Sequence, residues 1–107
     1  MSNDLAKYED FCASTDRYSG PRRELLGLGL CSEAGEVASV LKKASRDKLA
    51  EDEARNLILH ELGDCIGYLA RLASEFDSSL GEIIELNEKK LRGRLERNTL
   101  HGSGDKR

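Results

Sequence analysis

Glu33-Ala34-Gly35-Glu36 and Glu61-Leu62-Gly63-Asp64 each carry two carboxylates three residues apart, and residues 37–60 separate the two motifs. In a helix that spacing sets both acids of a pair on one face, one turn apart. Stepping about 100° per residue from Glu33, the residues Leu26, Leu30, Val37, Val40, Leu41 and Ala44 fall within about 80° of it, and Glu36 lies about 60° away. Glu61 likewise centres a sector of Leu57, Ile58, Cys65, Tyr68, Leu69, Leu72 and Phe76, with Asp64 beside it. Carboxylates turned toward an interior cost several kcal/mol each when ionised and unpaired. A positive partner is therefore expected, and four hard oxygen ligands select Mg²⁺, with Mn²⁺ as the second choice, over zinc. Gly35 and Gly63 each precede the second acid of their motif, where a missing side chain leaves room for an ion and its waters.

A complementary set lies downstream. Asn87, Lys90 and Arg94 are spaced i, i+3, i+7 and share a helical face with Leu80, Ile83, Ile84 and Leu91. Cations in such a stripe either grip phosphate oxygens or snorkel to the surface along their aliphatic stems, and Lys43, about 80° from Glu33 on the same helix, is a weaker candidate for phosphate, its other reading an exposed cation near a helix C-terminus. A divalent ion beside an Asn-Lys-Arg face suits a polyphosphate: the ion polarises the phosphoryl group and the fixed cations neutralise the rest. Tyr68, one turn after Asp64, either hydrogen-bonds a ligand or closes the core. Other chemistries fail on spacing. Gly27-Leu28-Gly29 lacks the third glycine of a dinucleotide fingerprint, no Walker-type Gly-Lys-Ser/Thr is present, and neither acidic motif has the His of a di-iron Glu-x-x-His pair. His60 and His101 are isolated, and His60 faces off the apolar sector.

These side chains need helices to position them. Breakers and apolar periodicity predict helices over about 2–17, 21–45, 51–76 and 80–98, with 99–107 as a loop. Alternation and β-branched runs are absent, so the expected fold is all-α, an antiparallel bundle of about four helices forming one domain over 1–100, followed by a Gly-rich tail over 101–107. Helical glycines at 27, 29, 35, 63, 67, 81 and 93 suggest helices in close approach, because an interior glycine costs about 1 kcal/mol relative to Ala. Cys12, Cys31 and Cys65, odd in number and without Cys-x-x-Cys, read as small buried hydrophobes in a reducing cytosol. No secretory signal pattern and no run long enough to span a membrane is present, so a cytoplasmic, membrane-free protein is expected. A net charge of −3 across 107 residues gives no general field for nucleic acid. Aromatic residues make up only 5% and Trp is absent, so the core is small and self-association is favoured.

Taken in order, the motifs resemble the MazG-type, all-α nucleoside-triphosphate pyrophosphohydrolases. Glu33-x-x-Glu36 and Glu61-x-x-Asp64 match that family's paired acidic signature, and Asn87-x-x-Lys90-Leu91-x-x-Arg94 is similar to its phosphate-gripping fourth-helix motif. The closing His101-Gly102-Ser103-Gly104-Asp105-Lys106-Arg107 looks like the tail of small bacterial and phage members. The resemblance covers about Leu25 to the end. It implies Mg²⁺-dependent hydrolysis of a (d)NTP to the monophosphate and pyrophosphate, a nucleotide-pool house-cleaning activity. Glu33, Glu36, Glu61 and Asp64 would hold metal and orient water, Lys90 and Arg94 would stabilise phosphate charge, and Asn87 would donate a hydrogen bond. It further implies a site completed in a homodimer or homotetramer. The same ligands also suit a helical dimer that binds nucleotides or a partner protein without turnover.

Overall fold

The computed structural model describes residues 2–17 and 19–98. The expected tail over 101–107 lies outside them. Four helices follow one another: α1 (Ser2–Thr15), α2 (Arg22–Arg46), α3 (Glu51–Ser74) and α4 (Leu80–Glu96). No strand occurs among the described residues.

Local chemistry sets the ends. Pro21, at φ −75°, stands just before α2 and its carbonyl accepts from the Leu25 N–H at 3.0 Å, a place where proline's missing donor costs nothing. At the other end Asp47 N–H closes onto the Lys43 carbonyl at 2.8 Å and Leu49 N–H onto Ala44 at 3.0 Å, while Lys48 takes a left-handed φ of 52° and turns the chain. Glu51, Asp52 and Glu53 then fill the first turn of α3, where negative charge complements the helix dipole. Asp77 (φ 55°) reverses the chain after α3. Ser79 caps α4, its Oγ accepting from the Glu82 N–H at 3.1 Å. The sequence places Phe76 inside the third helix, but the left-handed turn at Asp77 ends that helix at Ser74 and leaves Phe76 exposed.

Helices α2 and α3 pack antiparallel along most of their length, with α1 laid on α3 and the beginning of α4. Leu26 is fully buried, and Cys12, Ala70 and Leu80 form a second buried knot where α1, α3 and α4 meet. One close approach is paid for by glycine: a Cβ on Gly29 would overlap the Tyr68 ring, with Cζ at 2.5 Å, so the ring lies against the α2 backbone. Gly27 meets nothing within 4 Å, so close approach does not account for that glycine. An ionic clamp ties three chain segments at one end of the bundle. Arg22 donates to Asp16 at 2.5 Å and to Glu75 at 2.7 Å, while Arg23 donates to the Glu75 carbonyl and stacks 4.1 Å from the centre of the Phe76 ring. The expectation of three buried cysteines holds for Cys12 alone. Cys65 is half-buried and Cys31 is exposed, because it points about 160° away from the Glu33 face that meets α3. No helix among the described residues is long and apolar enough to cross a membrane.

Candidate functional site

The antiparallel packing of α2 on α3 brings Glu33 opposite Glu61 and Asp64. One ligand atom from each of the three lies within 4.8 Å of the others. Glu33 and Glu61 are half-buried, whereas Asp64 and Glu36 reach solvent. Burial pushes the Glu33 carboxyl above its ordinary value, and the charges of Asp64 and Glu61, a hydrogen bond with Glu61 and the charge of Glu36 push it the same way. Burial and the neighbouring charges thus disfavour the ionised form of Glu33. A Cβ at Gly35 or Gly63 would meet nothing within 4 Å, so the space beside the second acid of each motif is open.

The donor set fits a hard divalent ion. One oxygen from each of three carboxylates within 4.8 Å of one another is an all-oxygen donor set of the kind a hard divalent ion takes. Three carboxylates from the interior of two rigid helices, with a fourth, Glu36, one turn along α2, leave coordination positions for water and phosphate.

The other expected groups lie elsewhere. Asn87 and Lys90 are exposed on α4, and Arg94, 5% exposed, is buried. Helix α4 meets α1 and α3 and makes no close approach to α2, so a single chain does not bring this stripe to the Glu33 face. Lys43 is exposed in the last turn of α2. Ten residues of helix at about 1.5 Å each separate it from Glu33 by about 15 Å, outside the cluster. His60 is exposed, as expected from its angle.

Over 82 residues the chain is 42% identical to the Gene 37 protein of Mycobacterium phage L5, an alignment covering 75% of this chain and 72% of the phage protein. The chain belongs to the family of that phage protein. No protein-family profile matches it, and no solved structure does.

In this member of the Gene 37 protein family, the acid cluster opens into a groove of about 380 Å³ that the sequence reading did not anticipate. Its walls include Tyr8 and Phe11 from α1, Glu33 from α2, and Asp64, Tyr68 and Arg71 from α3. Arg71 stacks 4.9 Å from the centre of the Tyr68 ring and its Nε donates to the Gly67 carbonyl at 3.2 Å. Tyr8 sits over Gly67, and burial together with a hydrogen bond to Cys12 pushes its phenol up to about 12, so it stays neutral across physiological pH. Arg71 is two turns beyond Asp64, a signal present in the sequence. What hides it is α1: helical periodicity names the faces of α1 but not the helix on which it rests.

Proposed function

We propose that this protein is a Mg²⁺-dependent nucleoside triphosphate pyrophosphohydrolase, converting a (d)NTP and water to the monophosphate and pyrophosphate. The observation that carries the reading is the convergence of Glu33, Glu61 and Asp64 from two packed helices, with the Glu33 carboxyl held above its ordinary value by burial and by its acidic neighbours. A fold invests in mutually repelling carboxylates on rigid elements where a cation relieves the conflict. Glu33, Glu61 and Asp64 would hold Mg²⁺, or Mn²⁺ in its place, with Glu36 beside them. Bound there, the ion supplies Lewis-acid polarisation of a phosphoryl oxygen and neutralises charge on the triphosphate. Glu36, exposed one turn from Glu33, orients the attacking water and takes its proton as the α–β phosphoanhydride breaks.

The phosphate-gripping part of the site comes from a second copy in this reading. Asn87 and Lys90 share α4 with the exposed apolar side chains Ile84, Leu91 and Leu95. Laid over the acidic α2–α3 face of a partner, that helix buries its apolar stripe and sets its cations against the carboxylates. A homodimer is the minimal assembly, and a tetramer of paired dimers retains the same contact. The enzyme would act on the cytoplasmic nucleotide pool, binding neither nucleic acid nor membrane.

The test is pyrophosphate release from a panel of dNTPs with Mg²⁺, repeated on Glu36→Gln and Asp64→Asn. Each substitution is expected to lower turnover at least about 10²-fold, the scale of lost electrostatic stabilisation, while the helical circular dichroism is retained. Wild-type rates in both variants would remove these acids from the mechanism.

A further inference from the structure

The cations that the sequence singles out for phosphate lie on α4, away from the acids, but the groove at the acid cluster has a cation of its own. Arg71 lines it together with Glu33 and Asp64. It stands seven residues beyond Asp64, about 10 Å along α3 and only about 20° around it, so the two side chains leave the helix on one face. Helical side chains lean toward the N-terminus, and Arg71 folds back along α3 in that direction. Its Nε donates to the Gly67 carbonyl at 3.2 Å, and its guanidinium carbon stands 4.9 Å from the centre of the Tyr68 ring. Nη2 comes within 3.4 Å of where a Cβ on Gly67 would stand, as does the Tyr8 hydroxyl. The charge is thereby carried back to the level of Gly67 and Tyr68, about one turn from Asp64 instead of two. Arg71 and Asp64 act on the Tyr8 hydroxyl with opposite sign, so cation and carboxylate stand within electrostatic reach of the same wall of the groove.

A polyphosphate needs positive charge at more than one point along its length. An ion on Glu33, Glu61 and Asp64 supplies one such point, and Arg71 is the cation next along the same face of α3. We propose that Arg71 receives the phosphate group adjoining the one on the metal, so that each chain holds the ligand with its own acids and its own arginine before any partner helix is laid over it. The planar guanidinium fork matches phosphate oxygens in pairs. A guanidinium already set by a ring and a backbone carbonyl has less rotamer freedom left to lose on binding. The inference rests on the pyrophosphohydrolase reading for the identity of the ligand. Its own content is the anion contact at Arg71, which a protein that bound polyphosphate without hydrolysing it would share.

The experiment compares wild type, Arg71→Ala and Arg71→Lys by calorimetric titration with inorganic tripolyphosphate in the presence of Mg²⁺, by Mn²⁺ binding alone followed with paramagnetic resonance, and by dNTP hydrolysis. Arg71→Ala is expected to weaken tripolyphosphate binding at least about tenfold, the lower end of what a hydrogen bond to a charged group contributes. Arg71→Lys should fall between the two, because it keeps the charge and loses the fork. Mn²⁺ affinity without the anion should not weaken in either variant, whereas an arginine that only braces the helices would lower it. Wild-type tripolyphosphate affinity in Arg71→Ala, or in Arg71→Lys should the alanine variant not fold, would overturn the anion contact while leaving the hydrolytic reading standing. An equal loss of Mn²⁺ and tripolyphosphate binding would overturn it too, making Arg71 part of the scaffold. A wild type that binds tripolyphosphate through Arg71 but hydrolyses no dNTP would overturn the parent reading and leave this contact in place. A wild type that binds Mn²⁺ and no tripolyphosphate would overturn both.

Discussion

Glu33 concentrates the site's conflict in one side chain, because α2 presents it to two acids of α3 and partly withdraws it from water. Its folded carboxyl holds a proton more tightly than the unfolded chain does. The native state therefore binds more protons than the unfolded state between the ordinary carboxyl value and the raised one, and stability falls as pH rises through that window. Above the raised value the penalty is fully present, and below the ordinary value it vanishes. Metal-free protein is thus expected to gain less from acidification in Glu33→Gln than in wild type, and the variant should melt higher than wild type at neutral pH without metal. Mg²⁺ should reverse the order by stabilising the wild type alone. Thermal melts of both proteins across pH, with chelator and with Mg²⁺, measure this. A Glu33→Gln protein that is less stable than wild type in chelator would show that burial and carboxylate repulsion do not penalise the ionised Glu33.

At the scale of the helix, the acid cluster was legible because both motifs obey one period: Glu33 and Glu61 sit in apolar sectors whose faces have to meet somewhere, and α2 and α3 adjoin in sequence. Helix starts were legible from Pro21 and Ser79, whose backbone chemistry acts locally. Partner choice was not. Periodicity gives α4 a face bearing Asn87 and Lys90 but does not state that the helix rests on α1 and α3 rather than α2. The glycines make the same distinction between local and tertiary cause. Gly29 and Gly27 are two residues apart on α2, but only Gly29 faces a ring. Gly27→Ala is expected to stabilise by up to about 1 kcal/mol through helix propensity. Gly29→Ala gains the same local term and loses about 1–3 kcal/mol to overpacking against Tyr68, so it should come out neutral to destabilising and shift the tyrosine environment seen in near-UV circular dichroism. Urea unfolding of the two variants measures the difference, and equal stabilisation by both would mean that the Tyr68 ring is not held against α2.

Across the whole molecule, the single chain leaves large apolar side chains uncovered on α3 and α4. Its radius of gyration is 16.6 Å, against about 13 Å for a compact domain of about 100 residues. Leu26 is the only large side chain fully buried among the described residues, while Leu59, Leu62 and Ile66 line an open stripe of α3 and Ile84, Leu91 and Leu95 one of α4. In the proposed two-fold pairing each α4 stripe would be covered by the other copy's α2–α3 face, and the contact would be made twice. That proposed pairing would make each site a composite, with acids from one chain and Asn87 and Lys90 from the other. That geometry has a consequence that ordinary mutagenesis does not reveal. Asp64→Asn spoils the acids of its own chain, and Lys90→Ala spoils the α4 that its chain lends to the partner. Each homodimer should then be nearly inactive. Mixed by unfolding and refolding at equal concentration, the two variants should recover about a quarter of wild-type pyrophosphate release, because half of the randomly paired dimers are mixed and each mixed dimer has one intact site. If the acids and the α4 cations of a site belong to the same chain, no mixed dimer has an intact site and the mixture stays as inactive as its parents. Sedimentation of the mixture distinguishes that outcome from a failure to reassemble.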